Sequence, residues 1–77
     1  MPLINVKLIE NVVSDAKKQE LISRITDAVV AVGGEAIRPL TWVILEEVKS
    51  GDWGIAGKGL TTDDVHALVR GGAAHAG

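Results

Sequence analysis

The stretch PLINVKLIENVVSDAKKQELISRITDAVVAVGG, residues 2–34, decides the fold. It opens on PLINVKLI, residues 2–9, rich in apolar and β-branched types. Ile4, Val6 and Leu8 share one wholly apolar face, and Leu3, Asn5, Lys7 and Ile9 share the other. That is the period of two of a strand. Pro2 is tolerated because it opens the strand, where the ladder needs no donor. Ser14 then stands where an N-cap belongs, with Asp15 in the first helical turn. Leu21, Ile22, Ile25, Ala28, Val29 and Val32 recur at helical spacing, with Lys17, Lys18, Glu20, Arg24 and Asp27 on the other side. Gly33-Gly34 closes the pattern as a C-cap and turn. The spacing predicts an amphipathic helix over residues 14–32 that buries one stripe.

Downstream, LTWVILEEV, residues 40–48, reads as a second strand with Pro39 at its entrance. It is apolar on both faces through Leu45, which predicts a buried central strand. Strand, long helix and strand within this span make a βαβ unit with parallel strands and a right-handed crossover. In SGDWGIAGKG, residues 50–59, four glycines surround Trp53 and Ile55 and predict a tight turn or small hairpin. Thr61 or Thr62 is positioned to cap a short helix with Asp63 and Asp64 in its first turn. Val65, Leu68 and Val69 form its narrow apolar stripe, and Gly71-Gly72 is the expected stop. The expectation is therefore an α/β chain: one domain over residues 1–70, with a flexible Gly/Ala tail at 71–77.

Composition adds a constraint. The chain has 77 residues, 47% of them hydrophobic, and no cysteine to staple the fold. A domain of this size has a poor surface-to-volume ratio and cannot easily hide that much apolar surface. Association of several copies into an oligomer resolves the excess. The 8 basic and 10 acidic residues are scattered, giving a net charge of −2 and no basic stripe, which argues against a nucleic-acid partner. No apolar run approaches the ~18 residues of a membrane helix. MPLINVKLIENV has no signal-peptide pattern, so a cytoplasmic location is expected.

Several signals dissolve on inspection. GDWGIAGK has five residues, not four, between Gly51 and Gly57, and Gly59 follows the lysine where a phosphate-binding loop needs Ser or Thr. GIAGKG reverses the dinucleotide fingerprint. His66 and His75 have no ligand cluster and read as a helix-surface and a tail residue, so no metal or cofactor is expected. Glu46 and Glu47 are adjacent on a strand and point to opposite faces, so they cannot act as a carboxylate pair. Pro2 is different. Methionine before a small residue is usually trimmed, which would expose a secondary amine at the head of a buried strand. Burial and nearby cations lower an amine's pKa toward neutrality, where a general base works best. On its own, though, Pro2 equally reads as a residue that opens a strand and shields its edge.

The arrangement as a whole resembles the 4-oxalocrotonate tautomerase family. The matching stretches are PLINVKLIEN at the start, SDAKKQELISRITDAV in the helix and EEVKSGDWGIAGK at the turn, covering residues 2 to about 58. The resemblance implies a βαβ fold with a C-terminal hairpin and dimers assembled into hexamers. It also implies keto–enol isomerisation of a small carbonyl or enol substrate without a cofactor. Pro2 matches the family's catalytic base and Trp53 its aromatic pocket wall. The family's two arginines fall here at Val12 or Val13 and at Trp42, or Ile44 with the gap placed differently, which puts a dicarboxylate substrate in doubt. Arg38, Lys7, Lys49 and Lys58 are the candidate replacements. Arg38 ranks first because a guanidinium binds a carboxylate through two parallel hydrogen bonds. Two other readings stand beside this one: a non-catalytic structural subunit of a mixed oligomer, and a proline-dependent hydratase or dehalogenase.

Overall fold

The computed structural model describes residues 1–75 of the chain. In order, the elements are β1 (Leu3–Ile9), α1 (Asp15–Gly33), a 3-10 turn (Glu35–Leu40), β2 (Trp42–Val48), β3 (Trp53–Ile55), β4 (Lys58–Leu60) and α2 (Thr62–His75). β1 and β2 form one two-stranded sheet, and β3 and β4 another. The β1–β2 pairing is parallel: Trp42 N–H donates to the Pro2 carbonyl at 3.0 Å where both strands begin. Glu10 N–H donates to the Val48 carbonyl at 2.8 Å where both end. The βαβ reading of the sequence therefore holds. The chain divides into two compact units, one of Met1–Lys7 with Val13–Glu46, the other of Leu8–Val12 with the chain from Glu47 onward.

In the first unit, α1 begins as its sequence requires. Ser14 is extended, and its Oγ accepts from Lys17 N–H at 3.3 Å. Gly34, at φ 96°, ends the helix, and its N–H returns to the Val30 carbonyl at 2.8 Å. A left-handed φ of this kind favours glycine. Leu21, Ile22, Ile25 and Val29 are half-buried, as the spacing demands, but Ala28 and Val32 are not. Val32 is 92% exposed, whereas Val30 is buried. The reason is local. The 3-10 turn is in contact with α1, and Ile37 comes so close to Gly33 that a Cβ there would collide with it. This cover reaches the last turn of α1 on the Val30 side and leaves Val32 open. Pro39, which suggests a strand entrance, draws the sequence reading away from the 3-10 turn.

The expectation of a β2 buried on both faces is corrected. Val43 and Leu45 are half-buried, but Trp42 and Ile44 are exposed. They share that open face with Leu3, Asn5, Lys7 and Glu46. Among the described residues β1 is the only strand paired with β2, and side chains on this face stay exposed.

The second unit is tied together by side-chain bonds to backbone. Asn11 turns the chain after β1 at φ 61°, a region asparagine tolerates. Its N–H donates to Glu47 at 3.3 Å, and its carbonyl lies 3.2 Å from His66 Nε2. His66 is thus a half-buried anchor of α2, not the plain surface residue its sequence suggests. Ser50 N–H donates to the Glu10 carboxylate at 2.9 Å, and Thr62 Oγ1 donates to the Glu10 carbonyl at 2.7 Å. Thr61 caps α2 reciprocally: Asp64 N–H donates to its Oγ1 at 3.1 Å, and its own N–H donates to Asp64 Oδ2 at 2.9 Å. α2 continues through Gly71-Gly72 to His75, past the expected stop. Residues 76 and 77, the end of the expected tail, lie outside the described residues.

β3 and β4 pair antiparallel with Trp53 opposite Leu60 and Ile55 opposite Lys58. Ala56 and Gly57 alone connect them, at φ 53° and 83°. Two positive φ values define a type I′ turn, whose first position suits Asn far better than Ala. Gly59 is required for another reason: a Cβ there would lie 2.7 Å from the Gly51 carbonyl oxygen. Ala56→Asn is therefore expected to stabilise the protein by about 1 kcal/mol, the order of the left-handed penalty it relieves. Gly59→Ala is expected to destabilise it by ~1–3 kcal/mol through the backbone clash. Denaturant midpoints of the two variants, measured at one protein concentration, check both signs.

Candidate active site

Pro2 sits at the head of β1, half-buried, behind a fully exposed Met1. Its carbonyl accepts from the Trp42 N–H at 3.0 Å, which ties the head of β1 to the start of β2. While Met1 is attached, the Pro2 nitrogen is an amide without basicity. Removal of Met1 makes it a secondary amine on a rigid mount. The same hydrogen bond places Trp42 beside the Pro2–Leu3 peptide. Leu3, next to Pro2 in the chain, and Trp42, next to it in the ladder, are both apolar and exposed.

Arg38 lies in the 3-10 turn that leads into β2. Its Nε donates to Glu35 Oε1 at 2.6 Å, its Nη2 to Glu35 Oε2 at 3.4 Å, and its Nη1 to Asp27 Oδ1 at 2.8 Å. These bonds make the guanidinium still harder to deprotonate, through Glu35 first and Asp27 second. They also hold the Glu35 carboxyl below the usual carboxylate range. An incoming carboxylate would have to exchange with partners already in place.

Lys7 and Glu46 form the polar end of the open sheet face. Lys7 Nζ is 3.0 Å from Glu46 Oε2, and Asn5 Nδ2 donates to Glu46 Oε1. The two bonds, Asn5's first, hold the Glu46 carboxyl below its ordinary range. Lys7 is five residues beyond Pro2, roughly 17 Å along an extended strand. Within one chain, the structure thus brings together Pro2 and Trp42. It sets Arg38 in a clasp of acids and Lys7 at the far end of the strand. Trp53 belongs to the second unit, half-buried in the hairpin opposite Leu60. Val12 and Val13 are both half-buried. Among the described residues there is no group of three potential metal ligands, and no helix is long and apolar enough to cross a membrane.

Sequence reasoning missed the Arg38 clasp and the role of Glu46. The Glu35–Arg38 spacing of three in a helical turn was a readable signal. Asp27, eleven positions away, offered none. Glu46 reads as a solvated strand end until the parallel register sets it beside Lys7.

The βαβ architecture is shared with the solved structures that this chain matches. A family model described as tautomerase enzyme matches residues 2–63. A probable tautomerase of Ralstonia nicotianae is 47% identical over 57 residues, covering 74% of this chain and 79% of that protein. The crystal structure of DmpI from Helicobacter pylori superposes with a TM-score of 0.68 at 31% identity, over 77% of this chain and 95% of that one. A 4-oxalocrotonate tautomerase homologue, TTHB242, gives 0.66 at 33% identity, over 74% and 87%. The chain belongs to the tautomerase family.

The polar cluster gives a direct test. Because the folded Glu46 carboxyl is depressed, its contribution to stability is complete above the unfolded carboxyl value. That contribution fades as pH falls through the folded value. Carboxyl-detected NMR titration is expected to show Glu46 below its unfolded value, and Asn5→Ala is expected to raise it more than Lys7→Met. A larger rise from Lys7→Met would make charge, not the amide hydrogen bond, the main cause.

Proposed function

We propose that the protein is a keto–enol isomerase in which Pro2, freed of Met1, is the general base. The observation that carries this reading is the 3.0 Å bond from Trp42 N–H to the Pro2 carbonyl, which holds the proline at one place in a tautomerase-family chain. In this reading the neutral amine takes the proton from an enol hydroxyl. The resulting ammonium returns a proton to carbon: the pair left on the enolate oxygen closes to the carbonyl while the electrons of the C=C bond form the new C–H bond. The reverse order applies in the other direction. No cofactor is needed for either step.

Trp42 and Trp53 are the proposed pocket walls, selecting a small substrate with an apolar or aryl part. Arg38 and backbone N–H groups are proposed to stabilise the enolate oxygen or a substrate carboxylate. Lys7 is too far along its strand to serve the Pro2 of its own chain, so its proposed role requires a neighbouring copy. The proposed assembly is a cytoplasmic homo-hexamer built as a trimer of dimers, and the exposed Val32, Leu3 and Trp42 support it.

An arylpyruvate enol is a suitable test substrate. For trimmed protein, kcat/KM is expected to be low in acid and to rise with pH through the amine pKa, because only the neutral amine accepts a proton. An ordinary α-amino group titrates at ~7.7–8.0; proline is intrinsically more basic, and burial lowers it. Protein that retains Met1 is expected to lose nearly all of this activity. Equal turnover by the two forms would remove Pro2 as the base and favour the structural-subunit reading.

Arg38→Ala is expected to cut kcat/KM for carboxylate-bearing substrates by roughly 10–100-fold, the range of a lost charged hydrogen bond of ~1.5–3 kcal/mol. Uncharged substrates should lose much less. Equal losses would assign Arg38 to the Glu35–Asp27 clasp alone.

A further inference from the structure

The second unit carries an apolar surface that extends past the end of the region matched by the family model. The family match ends at residue 63, whereas α2 runs from Thr62 to His75. α2 is amphipathic, yet its chain covers only part of its apolar side. Val65 is half-buried, but Leu68 and Val69 are each 60% exposed. Beside them, β4 and α2 enclose an open groove of about 630 Å³ lined by Lys58, Gly59, Leu60, Asp64, Ala67 and Leu68.

The chemistry of this groove is self-complementary. Lys58 stands on one wall and makes no ion pair among the described residues. Asp64 stands on the other, kept ionised by its bonds from Thr61. Between them lie Gly59, Leu60 and Ala67, small or apolar, with Leu68 projecting beside them. An anionic ligand would meet Asp64, and a cationic one would meet Lys58. A twofold-related copy satisfies both charges at once, because an isologous contact lets residue i meet j while j meets i.

We propose that the β4–α2 groove is a contact between two copies of this chain across a twofold axis, Leu68 of each entering the groove of the other and Lys58 of each facing Asp64 across the axis. The contact rests on the proposed homo-oligomer and not on the proline chemistry. α2 thereby supplies the part of this assembly surface that lies beyond the matched family region.

The absence of cysteine makes the test specific. Leu68→Cys provides a single thiol, and a short bis-maleimide is expected to convert it to covalent dimer. Glu20→Cys, on the outer face of α1, is the control and should remain largely uncrosslinked. In parallel, Leu68→Glu is expected to raise the dissociation constant of the assembly at least tenfold by sedimentation, with unchanged helical circular dichroism. Lys58→Glu should do the same, more strongly at low salt. Crosslinking of Leu68→Cys no greater than the control, or unchanged sedimentation of Leu68→Glu, overturns the contact. Turnover of the enol by trimmed wild-type protein, read separately, keeps failure of this contact distinct from failure of the base.

Discussion

Among the described residues, the chain takes only Ile9 and Val30 almost fully out of water, at 5% and 6% exposure. That constraint governs the rest of the structure. Burying apolar area, at about 25 cal/mol per Å², is the main force that offsets the entropy of ordering a chain. Here the strands and helices are well formed, yet one sheet face, the end of α1 and the outer side of α2 keep large apolar side chains in solvent. Backbone ladders and caps shape the elements, but they do not by themselves hold a small cysteine-free domain together. The proposed assembly supplies the missing half of each interior.

The legibility of the fold follows from where the determinants lie. β1, α1 and the hairpin were readable because each is fixed locally: alternation at Ile4, Val6 and Leu8; the Ser14 cap; Gly34 at the helix end; glycines around Trp53. What was not readable depends on neighbours. Val32 and Val30 exchange roles because the 3-10 turn covers one side of the last turn of α1 and not the other. β2 looks like a buried strand because its composition records burial on both faces, which the single chain does not provide. α2 outruns Gly71-Gly72, since a glycine pair weakens a helix without the left-handed turn that would end it.

The candidate site divides in the same way. Pro2 and Trp42 were visible as residues, and the parallel register joins them. Arg38 was visible as a cation, but its state was not: Asp27 and Glu35 surround it, one of them from a distant part of the helix. Glu46 gained its partners only from strand pairing. Arg38 and Lys7 are therefore both already compensated by acids.

If covering the exposed apolar faces is what completes the fold, assembly and folding are one transition. The direct measurement is the denaturant midpoint as a function of protein concentration, with sedimentation at the same concentrations. The account predicts a midpoint that rises with concentration by mass action, and loss of secondary structure that coincides with dissociation. A midpoint independent of concentration, for a protein that sediments as a stably folded monomer, would contradict it.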